Sequence, residues 1–144
     1  MAFWTSKRKK VASILITIAA VIGITRLLIK NIEDSSKNDK NIKKDPIVLA
    51  VRDSMYAINT YLQRINNVIN DKNATNQDID NAIRDINKLD ILLATKLDIK
   101  KLKYLQERYN FDNVEDQTYL SLQKQLPSLK ELLVKKRVKI NKDG

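Results

Sequence analysis

The 144-residue sequence predicts an all-α fold: a single N-terminal transmembrane helix, a polar linker, then an antiparallel three- or four-helix bundle. Three observations carry this. A nearly unbroken apolar run lies between two groups of cations near the start of the chain. Apolar residues then recur in steps of three and four through residues 46–134. Finally, Gly23 and Gly144 are the only glycines, which disfavours turn-dense β folds and phosphate-cradling loops.

Residues 1–10 form a basic flank containing Lys7, Arg8, Lys9 and Lys10. Residues 11–29 are apolar apart from a few small polar side chains and Arg26, close to the end of the run. A helix of that length reaches about 28 Å, close to the roughly 30 Å hydrocarbon core of a bilayer. Arg26 and Lys30 fall where cations can snorkel to the far boundary, while Phe3 and Trp4 suit the near headgroup layer. A cleaved signal peptide places its small residues after an apolar core of about 7–15 residues. Here Thr17, Ala19, Val21 and Gly23 all lie inside the run, so the segment reads as a retained signal-anchor. The dense, acid-free cluster at positions 7–10 favours a cytoplasmic N-terminus and an extracytoplasmic bundle. Lys37, Lys40, Lys43 and Lys44 oppose this orientation, but they are spread over more residues. Ala19 and Gly23 form a small-xxx-small pair at which two anchors can approach, which keeps a homo-oligomer among the expected partners.

Residues 30–45 are polar, mixed in charge and short of large apolar side chains, the composition of a juxtamembrane linker. Pro46 ends the linker and suits the first position of a helix. The bundle, residues 46–134, begins with a stripe of Val48, Val51, Met55, Ile58, Leu62, Ile65 and Ile69 along one face of a helix running to about Asn70. In the stretch that follows, Asp71, Asn73 and Thr75 imitate the first ligands of a calcium loop. Asn76 replaces the required Gly, however, and Ala82 the bidentate acid. The stretch therefore reads as a turn in which Thr75 caps the next helix, with Asp78 completing a capping box.

The second helix carries Ile79, Ala82, Ile86, Leu89 and Leu93. Near Leu93 the phase becomes ambiguous. A break or bend is favoured there, with Thr95 and Asp98 capping a new helix that bears Leu102, Leu105 and Tyr109; an unbroken helix to Asn110 is the alternative. Asp112 and Glu115 form another cap-like pair. Tyr119, Leu122, Leu126, Leu129 and Leu133 keep phase through Pro127, which predicts a kink or short restart without a change of direction. The expected core is Val51, Met55, Ile58, Leu62, Ile65, Ile86, Leu89, Leu93, Leu122, Leu126, Leu129 and Leu133. A coiled coil between chains competes with the bundle, because the period is close to a heptad. The helix-breaking stretches near 71–76 and 110–114 favour folding back within one chain.

The net charge of +10 lies at the two ends of the chain. Residues 31–134 hold equal numbers of cations and acids, which weakens any case for a folded nucleic-acid platform. The interleaved cations and tyrosines of residues 100–109 are explained instead by a helix face bearing Leu102, Leu105 and Tyr109. Residues 135–144 read as a basic tail, frayed at its end, in which Lys135, Lys136, Arg137, Lys139 and Lys142 can contact anionic lipid or wall polymer. The chain contains no Cys and no His, so disulfides, thiolates, imidazole catalysis and the usual zinc sites are excluded. Asp78, Asp80 and Asp85 read as a solvated helix face, and no cofactor, metal site or catalytic group is expected.

A bias toward Lys, Asn and Ile is that of AT-rich coding, which points to a low-GC bacterium or its mobile elements. Three functional readings follow. The first is a non-enzymatic, membrane-anchored bundle that presents an interaction surface to an unidentified protein, as an accessory of the cell envelope, secretion, conjugation or a phage. The second is a protective protein; in size and basic helical character alone, with no shared motif, the chain resembles bacteriocin immunity factors. The third is adhesion to an anionic polymer through the tail.

Overall fold

A computed structural model describes residues 2–96, 99–109 and 116–143, with side chains described over 12–95, 100–109 and 118–138. The fold is all-α, one N-terminal membrane-spanning helix followed by a multi-helix bundle. The elements are α1 (Ala2–Asn38), α2 (Lys40–Lys44), α3 (Pro46–Asn70), α4 (Asn76–Ile91), a π-helical turn (Leu92–Lys96), α5 (Ile99–Tyr109) and α6 (Asp116–Asp143). Only α1 among the described helices is long and apolar enough to cross a bilayer.

Local chemistry sets the boundaries. Asp39 caps α2 by accepting from the Asn41 N–H, and Asp45 caps α3 by accepting from the Ile47 N–H, with Pro46 in the first turn. Thr75 and Asp78 form a reciprocal capping box at the start of α4: the Asp78 N–H donates to the Thr75 hydroxyl, and the Thr75 N–H to the Asp78 carboxylate. At the π-turn the Thr95 hydroxyl donates to the Ile91 carbonyl at 2.6 Å, so it serves the turn behind it. Asp98, its expected capping partner, lies outside the described residues, as do Asp112 and Glu115.

Helices α1, α3, α4 and α6 close a ring in which each packs on the next and α6 returns to α1. The turns after α1 and α3 fold each helix back on the next, and α6 runs parallel to α3, with Tyr119 at Met55 and Lys136 at Val68. Glu33 of α1 meets Tyr56 of α3, Arg64 of α3 meets Asp85 of α4, and Asp80 of α4 meets Arg137 of α6. Neighbours are therefore antiparallel, the up-down-up-down arrangement of a four-helix bundle. Helix α5 lies outside the ring against α3. All twelve side chains of the expected core are buried, and they form one cluster with Ile14, Ile18, Val21, Leu28, Ile29 and Ile32 of α1.

The apolar N-terminal helix is thus a wall of the bundle. Burying a large aliphatic side chain contributes about 1.5–3 kcal/mol, an upper bound because unfolded chains already bury some surface. Six such side chains from α1 reach the scale of a whole domain's net stability, about 5–15 kcal/mol.

Two expectations from the sequence are corrected, and of the kink or restart expected at Pro127 the restart is removed. Residues 30–45 are helical up to Asn38 and again over Lys40–Lys44, instead of forming an unstructured linker. Their sparse apolar residues sit in register: Ile32 and Ile42 are buried, while Tyr56 donates to Glu33. Helix α6 runs without a restart through Pro127, which is exposed, because Leu126 and Leu129 keep one buried face on both sides of it. The basic tail continues α6 to Asp143, and at its start Lys136 contacts α3 and Arg137 contacts α4.

Candidate functional site

Along α3, small residues fall at Ala50, Ser54 and Ala57, one face of the helix at spacings of four and three. The π-turn and α5 stand away from this face and leave an open groove of about 340 Å³, completed by Asp53, Tyr61, Leu92 and Lys101. Leu92 is 8% exposed and supplies apolar surface, while Asp53 and Lys101 provide one acid and one cation. Such a lining can receive an apolar side chain, or a turn of helix with a polar handle. Ser54 is its buried hydroxyl. A π-turn inside a helical run often marks a functional position.

The end of this region is held by Asp45. Its carboxylate accepts from the Tyr104 hydroxyl at 2.7 Å and the Tyr109 hydroxyl at 2.6 Å, while the two rings meet edge to face. Partial burial raises the Asp45 pKa, but the bonds from Tyr109, Tyr104 and the backbone outweigh that and hold it below 3.8. The same bond to Asp45 pushes Tyr109 up to about 12, reinforced by burial. Through these contacts Asp45 ties α5 to the start of α3. The interleaved tyrosines of α5 are therefore engaged with a carboxylate.

A second polar node lies inside the ring. The Thr25 and Tyr119 hydroxyls share a hydrogen bond of 2.8 Å, and the Tyr119 oxygen is 3.2 Å from Met55 Sδ. Burial pushes the Tyr119 hydroxyl up to about 12, against a smaller lowering by Thr25.

The sequence-selected charges fare differently. Lys136 donates to the carbonyls of Val68, Ile69 and Asp71 at 2.7, 2.9 and 2.7 Å and so closes the C-terminal end of α3. Arg137 pairs with Asp80 at 2.7 Å, and Lys135 with Glu131 at 3.4 Å. These three are not free tail cations; the side chains of Lys139 and Lys142, and of Lys7, Arg8, Lys9 and Lys10, lie outside the described set. The three acids of α4 are not a solvated face either. Asp78 caps, Asp80 pairs with Arg137, and Asp85 is 5% exposed beside Arg64 at 3.8 Å. Among the described residues no cluster of three metal-ligating side chains occurs.

Sequence reasoning missed the groove, the Asp45 node, the Lys136 cap and the Thr25–Tyr119 bond. An acid directly before Pro46 was the available signal for Asp45. No family model, curated protein or solved structure matches the chain.

Proposed function

We propose that the chain is a non-enzymatic, membrane-anchored interaction protein, an accessory of a bacterial cell envelope, secretion or conjugation system, or phage. The observation that carries this reading is the groove along Ala50, Ser54 and Ala57, a preformed apolar slot bordered by Asp53 and Lys101. Its volume of about 340 Å³ has room for one or two side chains from a partner helix. Lys7, Arg8, Lys9 and Lys10 support a cytoplasmic N-terminus with the bundle outside. Immunity to a bacteriocin is the same architecture with a toxin as partner. Adhesion through the tail is the weaker reading, because Lys135, Lys136 and Arg137 already have partners within the bundle.

Photo-crosslinking in intact cells tests the interaction reading. A photoreactive residue at half-buried Ala57 should give a discrete protein adduct, and one at exposed Lys88 should not. Filling the slot with Ala50→Phe should abolish the adduct while leaving the helical content unchanged. Equal adducts from both positions, or an adduct that survives Ala50→Phe, would remove the groove from the proposal. External protease on right-side-out vesicles tests the orientation: loss of a C-terminal tag is expected, and a protected tag would reverse it.

A further inference from the structure

Helix α1 has two sets of partners that cannot be satisfied together. In the ring, its face from Ile14 to Ile32 is buried, and Thr25 bonds to Tyr119 of α6. Yet only 33% of its most apolar stretch is covered. Ile16 and Leu27 remain 67% and 50% exposed, with Ala19, Ala20 and Gly23 exposed between them. A bilayer would cover that outer face, but the rest of the ring cannot follow α1 into lipid. Of the other ring helices, its neighbours α3 and α6 carry exposed Arg64, Lys124 and Lys130, and α4 across the ring carries Arg84 and Lys88. Ionised side chains at that depth are strongly unfavourable. Bundle and bilayer therefore compete for one helix.

We propose that α1 exchanges between these environments: docked as the fourth wall of the ring in the lipid-free chain, and withdrawn from the ring to span the membrane in the inserted form. The ligand is a phospholipid bilayer. In the inserted form Lys7, Arg8, Lys9 and Lys10 meet one headgroup layer, and Arg26 and Lys30 the other. A joint is already present. Asp39 and Asp45 both have extended backbone, and they isolate five-residue α2 between α1 and α3, so α1 can swing without unwinding either long helix. The proposal rests on the membrane-spanning reading of α1 and is independent of the groove beside α5.

The absence of cysteine allows introduced labels to report alone. Gly23→Cys and Thr60→Cys place two nitroxides on exposed positions of neighbouring helices, and nothing lies within 4 Å of a Cβ at position 23. Pulsed EPR on the full-length chain, lipid-free and then with phosphatidylcholine–phosphatidylglycerol vesicles, reads the separation. An environment-sensitive fluorophore on Gly23→Cys alone reads whether that position has entered lipid. On vesicles, the short separation should give way to a long, broad distribution, and the emission should shift to the blue. Ala20→Lys, at an exposed position, should keep the lipid-free separation and abolish both changes.

A short separation retained alongside a blue shift would mean that the docked ring rests on the bilayer, which overturns the exchange. A short separation without a shift, or a long one with position 23 still in water, overturns it as well. Carbonate extraction of the same vesicles separates the two levels. Chain that stays with the membrane despite a failed exchange leaves the membrane-spanning reading standing, and chain released to the supernatant removes both.

Discussion

Helices α1 and α3 each bury one face in the same core, but opposite sequence patterns produce those faces. Helix α3 sets Val48, Val51, Met55, Ile58, Leu62 and Ile65 inward and keeps Asp53, Thr60 and Arg64 exposed. Helix α1 buries Ile14, Ile18, Val21, Leu28 and Ile32 while Ile16, Ala19, Ala20 and Leu27 stay exposed. An amphipathic pattern identifies the face that packs. An apolar pattern on all sides shows only that some apolar environment is needed, and both a bilayer and a core supply one. The difference separates a helix with one fate from a helix with two.

The largest expected effect breaks the amphipathic side of the comparison. Leu62→Asp places an unpaired charge at a position with 0% exposure, a penalty of several kcal/mol on a bundle of marginal stability. Loss of cooperative unfolding by circular dichroism is expected; a normal transition would show that the α3 stripe is not core.

Tyr119 probes where the two helix types meet. Its folded pKa of about 12 stands above the ordinary 10.0, so its stabilisation is complete below pH 10 and is lost as pH rises toward 12. Over that interval the native chain should lose about 2–3 kcal/mol more than Tyr119→Phe does. Parallel curves for the two proteins in denaturant titrations would place Tyr119 in water.

Asp45 tests the junction between α2 and α3. Asp45→Ala removes a helix cap and the acceptor for two tyrosines, for about 2 kcal/mol at neutral pH. Because its folded pKa lies below 3.8, this contribution is full above 3.8 and fades as pH falls through the lower folded value. Native protein and variant should therefore converge in acid, as read by urea midpoints. The smallest effect is expected from Lys136→Met, about 1 kcal/mol, with faster amide exchange confined to the last turn of α3. Unchanged exchange there would remove the capping role.

What was legible in the sequence follows the range of the interactions. The Thr75–Asp78 box, the Pro46 start and the stripes of α3, α4 and α6 are local patterns, and they can be read at fixed spacings. The Thr25–Tyr119 bond joins residues 94 positions apart, and nothing local to either hydroxyl marks the other. Asp85 looked like its neighbours Asp78 and Asp80 because its partner, Arg64, belongs to another helix. Lys136 resembled a tail cation for the same reason: the carbonyls it closes belong to α3. Residues 30–45 misled by composition, since two well-placed isoleucines and a Glu33–Tyr56 contact order a segment that averages as polar. The groove had a visible signature in Ala50, Ser54 and Ala57, but its meaning depended on where the π-turn set α5.

The most direct measurement compares two adjacent leucines of α1 in the lipid-free, full-length chain. Leu28 is 0% exposed and Leu27 is 50% exposed, so urea unfolding of Leu28→Ala and Leu27→Ala tests whether α1 has an inner face. As a wall of the bundle, α1 should make Leu28→Ala destabilising by about 2–5 kcal/mol and leave Leu27→Ala within about 0.5 kcal/mol of the native chain. Equal and small effects at both positions would contradict the four-helix ring and leave α1 as an anchor alone.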